Sequence, residues 1–305
     1  MTRDLAIAAT SLRKTFGRKV AVADLTLEVR RGEVYGFLGP NGAGKSTSLK
    51  MFLGLVRPTA GSAQLLGEPA GDIAVRGRIG FLPEQFRFHD WLTAGEFLAF
   101  HGSLYGLEPP RIAKQSGELL ERLGLSDHLD KRLREFSKGM LQRVGIAQAL
   151  LAEPELILLD EPTSGLDPGG RRLVRDLILE QRRAGRTVFV NSHLLSEIEV
   201  TCDRVAFIKH GRVLKTRELN GALRGSRQLT ATVHGITAEM LDALRYRVES
   251  VHLAGEQLTL RVKDKDSIPE IARYLAAQCD VYSLTSGEAS LEELFLEIIG
   301  PEAGL

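Results

Sequence analysis

The run GPNGAGKST, Gly39 to Thr47, constrains this chain more than any other stretch. It fits the spacing G-x-x-x-x-G-K-[ST] with Gly39, Gly44, Lys45 and Ser46, and it lies between the apolar segment Val34 to Leu38 and a stretch of helical character. A polyphosphate is approached by several backbone N–H groups at once, which demands a loop free of Cβ atoms at its tight points. Gly39, Gly42 and Gly44 supply that freedom, with Pro40, Asn41 and Ala43 completing the loop, and a helix starting near Lys45 adds its positive N-terminus. Lys45 then reaches the terminal phosphates as a point charge. The Ser46 hydroxyl, followed by Thr47, is the natural ligand for Mg²⁺.

A second segment has matching chemistry. In ELILLDEP, Glu155 to Pro162, four apolar residues precede Asp160 and Glu161, so two carboxylates emerge at the carboxyl end of a buried strand. Ligands of open α/β sheets bind there. Asp160 is placed to hold the Mg²⁺ shell, and Glu161, pointing the other way, to orient and deprotonate an attacking water. Val34 to Leu38, Leu156 to Asp160 and Thr187 to Asn191 are largely apolar without alternation, as central parallel strands of an α/β layered domain are.

Composition narrows the class. The chain has 305 residues, 40 Lys and Arg against 39 Asp and Glu, a net charge of +1 and 43% apolar residues. That is an ordinary globular balance, with no global push toward nucleic acid. At about 150 residues per domain, two domains are expected. Cys202 and Cys279 are too few for a disulfide framework and have no zinc-site spacing, which favours a reducing, cytoplasmic setting. The longest stretches without a charge, such as Val34 to Gly44, fall well short of the roughly 18 residues of a membrane span. The N-terminus, with Asp4 and only a short apolar stretch before Arg13, does not fit a secretory signal.

Two domains are expected at 1–220 and 228–305, joined by the Gly- and charge-rich RELNGALRGSRQ after a hairpin around His210 and Gly211. Within the first, strand signals give way to helical ones over about 86–151. There Thr93 and Glu96 form a capping-box pair, and Leu119, Leu120 and Leu123 make an apolar stripe. The second domain has the order β-α-β-β-α-β of a small α+β, ferredoxin-like split sandwich. A last helix follows, capped by Ser290 and Glu293, with Leu291, Leu294, Phe295 and Ile298 along one stripe. There is no internal duplication or low-complexity tract.

With these motifs in order, the chain resembles the nucleotide-binding subunit of an ATP-binding cassette (ABC) transporter. FLPEQ supplies Gln85, FSKGM supplies Ser137 and Gly139, SGLD runs from Ser164 to Asp167, and NSHLLSE supplies His193. The resemblance implies a P-loop NTPase cassette, a mixed sheet with a helical subdomain, that binds and hydrolyses ATP with Mg²⁺. It implies that Gln85 joins Ser46 and Asp160 in the Mg²⁺ shell, that His193 contacts the γ-phosphate, and that Asp167 communicates across a dimer. Phe16 would stack on adenine, the alternative being a core aromatic near the first strands. The signature segment departs from the usual Leu-Ser-Gly-Gly-Gln at Phe136, Lys138 and Met140, while Ser137 and Gly139 stand at the start of a helix whose N-terminus suits an anion. Taken as ordinary structure, Ser137 is an N-cap.

The implied mechanism pairs two subunits head to tail around two ATP molecules. The mate is a second copy or a related ATPase subunit, and the partner moved by closure is an integral-membrane permease. The chain would then be cytoplasmic and peripheral on the inner face of the membrane. Phe86, Phe88 and Trp91 follow Gln85 where the family docks its membrane subunit, or else they pack internally. The tail EASLEELFLEII resembles export-type (ABC-2-like) subunits with a small C-terminal domain, whose role here is regulation, ligand binding or dimerisation. A soluble ABC-type ATPase acting on nucleic acid or ribosomes is the rival reading. It is disfavoured by the single cassette and the lack of a sustained heptad run. Arg171, Arg172, Arg175, Arg182, Arg183 and Arg186 are expected to form a solvated helix face and not a nucleic-acid patch.

Overall fold

In the computed structural model the described residues are 4–85, 89–219, 227–262, 266–288 and 291–300. They divide into two compact units, one running up to Arg217 and the other from Glu218 to Gly300. The strands of the first unit are β1 (Leu5–Phe16), β2 (Lys19–Arg30), β3 (Val34–Leu38), β4 (Ala60–Leu65), β5 (Glu68–Pro69), β6 (Ile79–Leu82), β7 (Leu156–Asp160), β8 (Thr187–Asn191), β9 (Arg204–Lys209) and β10 (Arg212–Glu218). Its helices are α1 (Lys45–Phe52), α2 (Ile73–Arg76), α3 (Ala94–Leu104), α4 (Pro109–Arg122), α5 (Lys138–Leu150), α6 (Pro168–Arg183) and α7 (Leu195–Thr201).

The strands form one mixed sheet in the order β5-β4-β1-β2-β10-β9-β3-β8-β7-β6. At one end β1 pairs antiparallel with β2 and β4. At the other, β9, β3, β8, β7 and β6 run parallel. Every residue of β3, β7 and β8 is buried, which explains their unbroken apolar pattern: both faces of the sheet are covered there. Phe189 of β8 stacks on Tyr35 at 5.7 Å between ring centres and meets Phe52 of α1 edge-on at 5.9 Å, fixing the phosphate-loop helix against the sheet.

The expected helical insertion contains α3, α4 and α5. Thr93 opens α3 with a complete capping box: Glu96 N–H donates to Thr93 Oγ1 at 3.1 Å, and Thr93 N–H donates to Glu96 Oε2 at 2.8 Å. Between β9 and β10, His210 and Gly211 both have positive φ, as a two-residue hairpin turn requires.

The second unit runs β11 (Arg227–His234), α8 (Ala238–Arg245), β12 (Ser250–Ala254), β13 (Gln257–Val262), α9 (Ser267–Gln278), β14 (Asp280–Glu288) and α10 (Leu291–Ile299). Its sheet is antiparallel in the order β12-β13-β11-β14, the split β-α-β-β-α-β arrangement that the pattern predicts. Leu229, Ala231 and Val233 alternate inward along β11 and pack with Leu258 and Leu260 of β13 against Leu244, Ile271 and Leu275 of the helices. On α10, Leu291, Leu294 and Phe295 are buried, but Ile299 and not Ile298 completes the buried set. Ser290, most of the expected linker, and Phe86 and Phe88 lie outside the described residues, as does the Glu293 side chain.

Candidate nucleotide-binding site

The phosphate loop leaves the end of β3 and enters α1, whose N-cap is Gly44. Two of its glycines are required by geometry. A Cβ on Gly39 would fall 2.3 Å from the Ile208 carbonyl oxygen, and one on Gly44, where φ is +104°, would fall 2.6 Å from that of Ala21. Both obstacles are backbone, so the loop is pressed against β9 and β2 with no room for a side chain. At Gly42 a Cβ would meet nothing within 4 Å, which leaves the outer side of the loop open to a ligand.

Lys45 is buried, with Nζ 2.6 Å from the Gly39 carbonyl oxygen and 3.3 Å from that of Pro40. Burial pulls its pKa down, against the opposing pull of Glu161, Asp160 and Glu84. The loop lines a pocket of about 220 Å³ with Pro40, Asn41, Gly42, Gly44, Lys45, Ser46 and Thr47. Gly39 contributes its carbonyl to Lys45. Ala43 is buried behind the loop, where its carbonyl accepts the Gly211 N–H at 2.8 Å.

The far wall is acidic. Burial pushes the Asp160 carboxyl upward in pKa, against hydrogen bonds from the Asn191 side-chain amide and the Ser46 hydroxyl and in step with the nearby charges of Glu84 and Glu161. This cluster of hard oxygen donors suits a divalent cation. Among the described residues no three His, Cys, Asp or Glu converge as an all-protein cage. Mg²⁺ ordinarily takes one or two protein ligands plus substrate phosphates, and Ser46 with Asp160 is a donor set of that kind. Asn191 also carries a buried side-chain oxygen with no partner at the pocket wall.

Glu161 is buried, lines the pocket and has φ +53°. Its Oε2 is 2.7 Å from His193 Nδ1, and its N–H donates to the Asn191 carbonyl at 2.8 Å. His193 thus meets the acidic residue directly. Glu84 lines the pocket, whereas its neighbour Gln85 is exposed and does not. Phe16, half exposed under Lys14 Nζ at 4.8 Å, ends β1 opposite Lys19, which lines the pocket.

Ser137 is exposed and caps α5, its Oγ accepting the Met140 N–H at 3.2 Å. Neither it nor Gly139 lines the phosphate-loop pocket of its own chain. Asp167 caps α6 by accepting the Gly170 N–H at 2.7 Å. The arginines near α6 are largely answered by carboxylates: Arg172 by Asp176, Arg175 by Glu197, Arg182 by Asp203 and Arg186 by Glu153. Sequence reasoning missed Asn191 and Glu84 at this pocket and Gly211 behind the loop. For Asn191 a signal existed: a polar residue ending an otherwise apolar strand.

A phosphate loop at the end of one buried parallel strand and a carboxylate pair at the end of another, with β8 between them, define a P-loop NTPase. Residues 22–164 match the ABC transporter family, and residues 224–299 match the C-terminal domain of DrrA1-3-like ATP-binding proteins. The Nod factor export ATP-binding protein I of Rhizobium sp. (strain N33) is 33% identical over 302 residues, 98% of each chain. An uncharacterized ABC transporter ATP-binding protein of Nostoc sp. (strain PCC 7120) is 47% identical over 206 residues, 67% of this chain, and the match spans only 62% of that protein's length. The dimeric post-hydrolysis structure of the ATP-binding cassette MJ0796 bound to ADP and Pi superposes with a TM-score of 0.64 at 27% identity, covering 70% of this chain and 99% of that one. The chain belongs to the ATP-binding proteins of ABC transporters.

Proposed function

We propose that this chain is the ATP-hydrolysing subunit of an ABC exporter, acting on a separate integral-membrane permease from the inner face of the membrane. Hydrolysis of a triphosphate is mainly positioning and charge stabilisation. The loop N–H groups and Lys45 hold the phosphates, and Phe16 offers its exposed ring to the base. Ser46 and Asp160, with Gln85 as a further candidate, hold Mg²⁺, which when bound neutralises charge on the phosphates. Glu161 orients water and takes its proton, and His193 steadies the Glu161 carboxylate from 2.7 Å. That contact, a carboxylate buried at the mouth of a phosphate pocket and held by a histidine, is the observation that carries the reading.

Ser137 and Gly139 stand outside their own chain's pocket at a helix N-terminus, which supports a composite site in which they meet the triphosphate held by a mate, a second copy or a related ATPase subunit. Asp167 lies on the same side of the fold as Gly139, since the carbonyl of Gly165 approaches the latter. Trp91 and Phe100 are exposed around His89, which supports docking of the permease there over internal packing. Among the described residues no helix is long and apolar enough to cross a membrane. Export is favoured by likeness over nearly the full length to a Nod factor export subunit. The second unit, with Tyr282 and Leu284 exposed on its edge strand β14, is assigned to association or regulation.

The test is Glu161→Gln. Turnover should fall roughly 10²- to 10⁴-fold, about 2.7 to 5.5 kcal/mol in the barrier, with ATP binding retained. Near-normal turnover in that variant removes Glu161 from the role.

A further inference from the structure

Glu161 has a backbone conformation that residues with a Cβ rarely adopt, at φ +53°, so the surrounding structure must hold it there. Its N–H is fixed by the Asn191 carbonyl. Its carbonyl accepts the Ser164 N–H at 3.1 Å and, from the other side, the side-chain amide of Gln142 at 3.1 Å. The same Nε2 donates to the Pro162 carbonyl at 3.2 Å. Gln142 is buried, on the second turn of α5, in a helix whose residues from Val144 to Leu150 are all buried. An amide in such a place costs stability unless it is hydrogen-bonded, and its nitrogen serves two successive carbonyls at the strained corner. Gln142 does not line the pocket.

We propose that Gln142 is a positioning residue for hydrolysis, resting on the role given to Glu161 above. By holding the Glu161 carbonyl it fixes the peptide plane that leaves the Glu161 Cα, and by holding the Pro162 carbonyl it fixes the next plane behind it. That sets where the carboxylate lies relative to His193 Nδ1 and the pocket. Because Ser137 caps the same helix, Gln142 also ties the surface that meets the mate's triphosphate to the group that activates water.

The experiment uses the full chain carrying Gln142→Met, which keeps length and bulk and removes the donors. Since misplacement of a reacting group by about 1 Å costs on the order of a hundredfold, kcat should fall roughly ten- to a hundredfold while KM for ATP stays within about twofold. Amide exchange of Glu161, Thr163 and Ser164 should quicken. Gln142→Glu has the native shape with acceptors in place of donors. It serves where the methionine variant does not fold, and its kcat relative to the native chain should recover as pH falls and the carboxyl regains a donating proton. A native kcat in Gln142→Met, or a kcat loss matched by equal loss of ATP binding, overturns the proposal. If Glu161→Gln hydrolyses normally, the reading of Glu161 fails. If Glu161→Gln is inactive and Gln142→Met is fully active, only the role of Gln142 fails.

Discussion

Gly211 belongs to no phosphate-binding motif, yet the structure makes it a brace for the phosphate loop. Its φ is +68°, and a Cβ there would lie 2.4 Å from the Ala23 nitrogen and 2.5 Å from the Val22 Cα. Both are backbone atoms of β2, so no rotamer change relieves the contact and the turn must move. Its N–H donates to the Ala43 carbonyl at 2.8 Å, and its carbonyl accepts from Ala23 and Asp24 N–H at 3.1 and 3.0 Å. In Gly211→Ala, the left-handed alanine costs about 1 kcal/mol. Weakening of three backbone hydrogen bonds adds about 1 kcal/mol each. The control is Gly185→Ala, where φ is +77° and a Cβ meets nothing within 4 Å, so only the conformational cost of about 1 kcal/mol applies. The two variants should therefore differ by about 3 kcal/mol in urea unfolding, on the order of a hundredfold in the unfolding constant. Because Ala43 moves with the turn, Gly211→Ala should also bind a fluorescent ATP analogue more weakly, and Gly185→Ala should not. Equal unfolding costs with unchanged nucleotide affinity would refute the brace.

Lys45→Ala removes the cation that the loop carbonyls hold, and charge-assisted hydrogen bonds contribute about 1.5 to 3 kcal/mol, so ATP affinity should fall by roughly ten- to a hundredfold on titration. An unchanged affinity would separate Lys45 from the phosphates. Burial pushes the Cys202 thiol up to about 12. Its ordinary value in an unfolded chain is about 8.5, so the folded state binds this proton more tightly. The associated stability is complete below about pH 8.5 and is lost as pH rises toward the folded value, at about 1.4 kcal/mol per pH unit. Unfolding free energies of the native chain and Cys202→Ala, compared between pH 8 and pH 10, should converge with that slope. A constant difference would mean that the thiolate is not excluded from the core.

What could be read from the sequence was whatever the chain keeps local. The phosphate loop is one run of residues, legible by its spacing alone, although the backbone atoms that exclude a Cβ from Gly39 and Gly44 belong to β9 and β2. The carboxylates at the end of β7 follow from an apolar run that stops. Ser137 was legible as a residue at a helix start and caps the helix it precedes, whereas Asp167, which also caps a helix, was singled out only by its motif. By contrast, α5 offers an apolar stripe in sequence but is buried nearly all round, because it packs against α3, α4 and β6 together. Gln85 and Glu84 follow the end of β6 at Leu82 in a stretch without strand alternation, so nothing in their order tells which one faces the pocket. Asn191 and Gln142 were hidden for a different reason. Asn191 reaches Asp160 because β8 is inserted between β3 and β7 in a register that pairs these two residues. Gln142 reaches Glu161 because α5 returns beneath the loop that follows β7. Strand order creates the first contact and the packing of α5 the second, and both are fixed by segments far apart in the chain. A polar side chain that closes an apolar run is the trace such a contact leaves in one dimension. Asn191 carries it and ends at the Asp160 carboxylate, while Gln142 ends at the backbone carbonyl of Glu161.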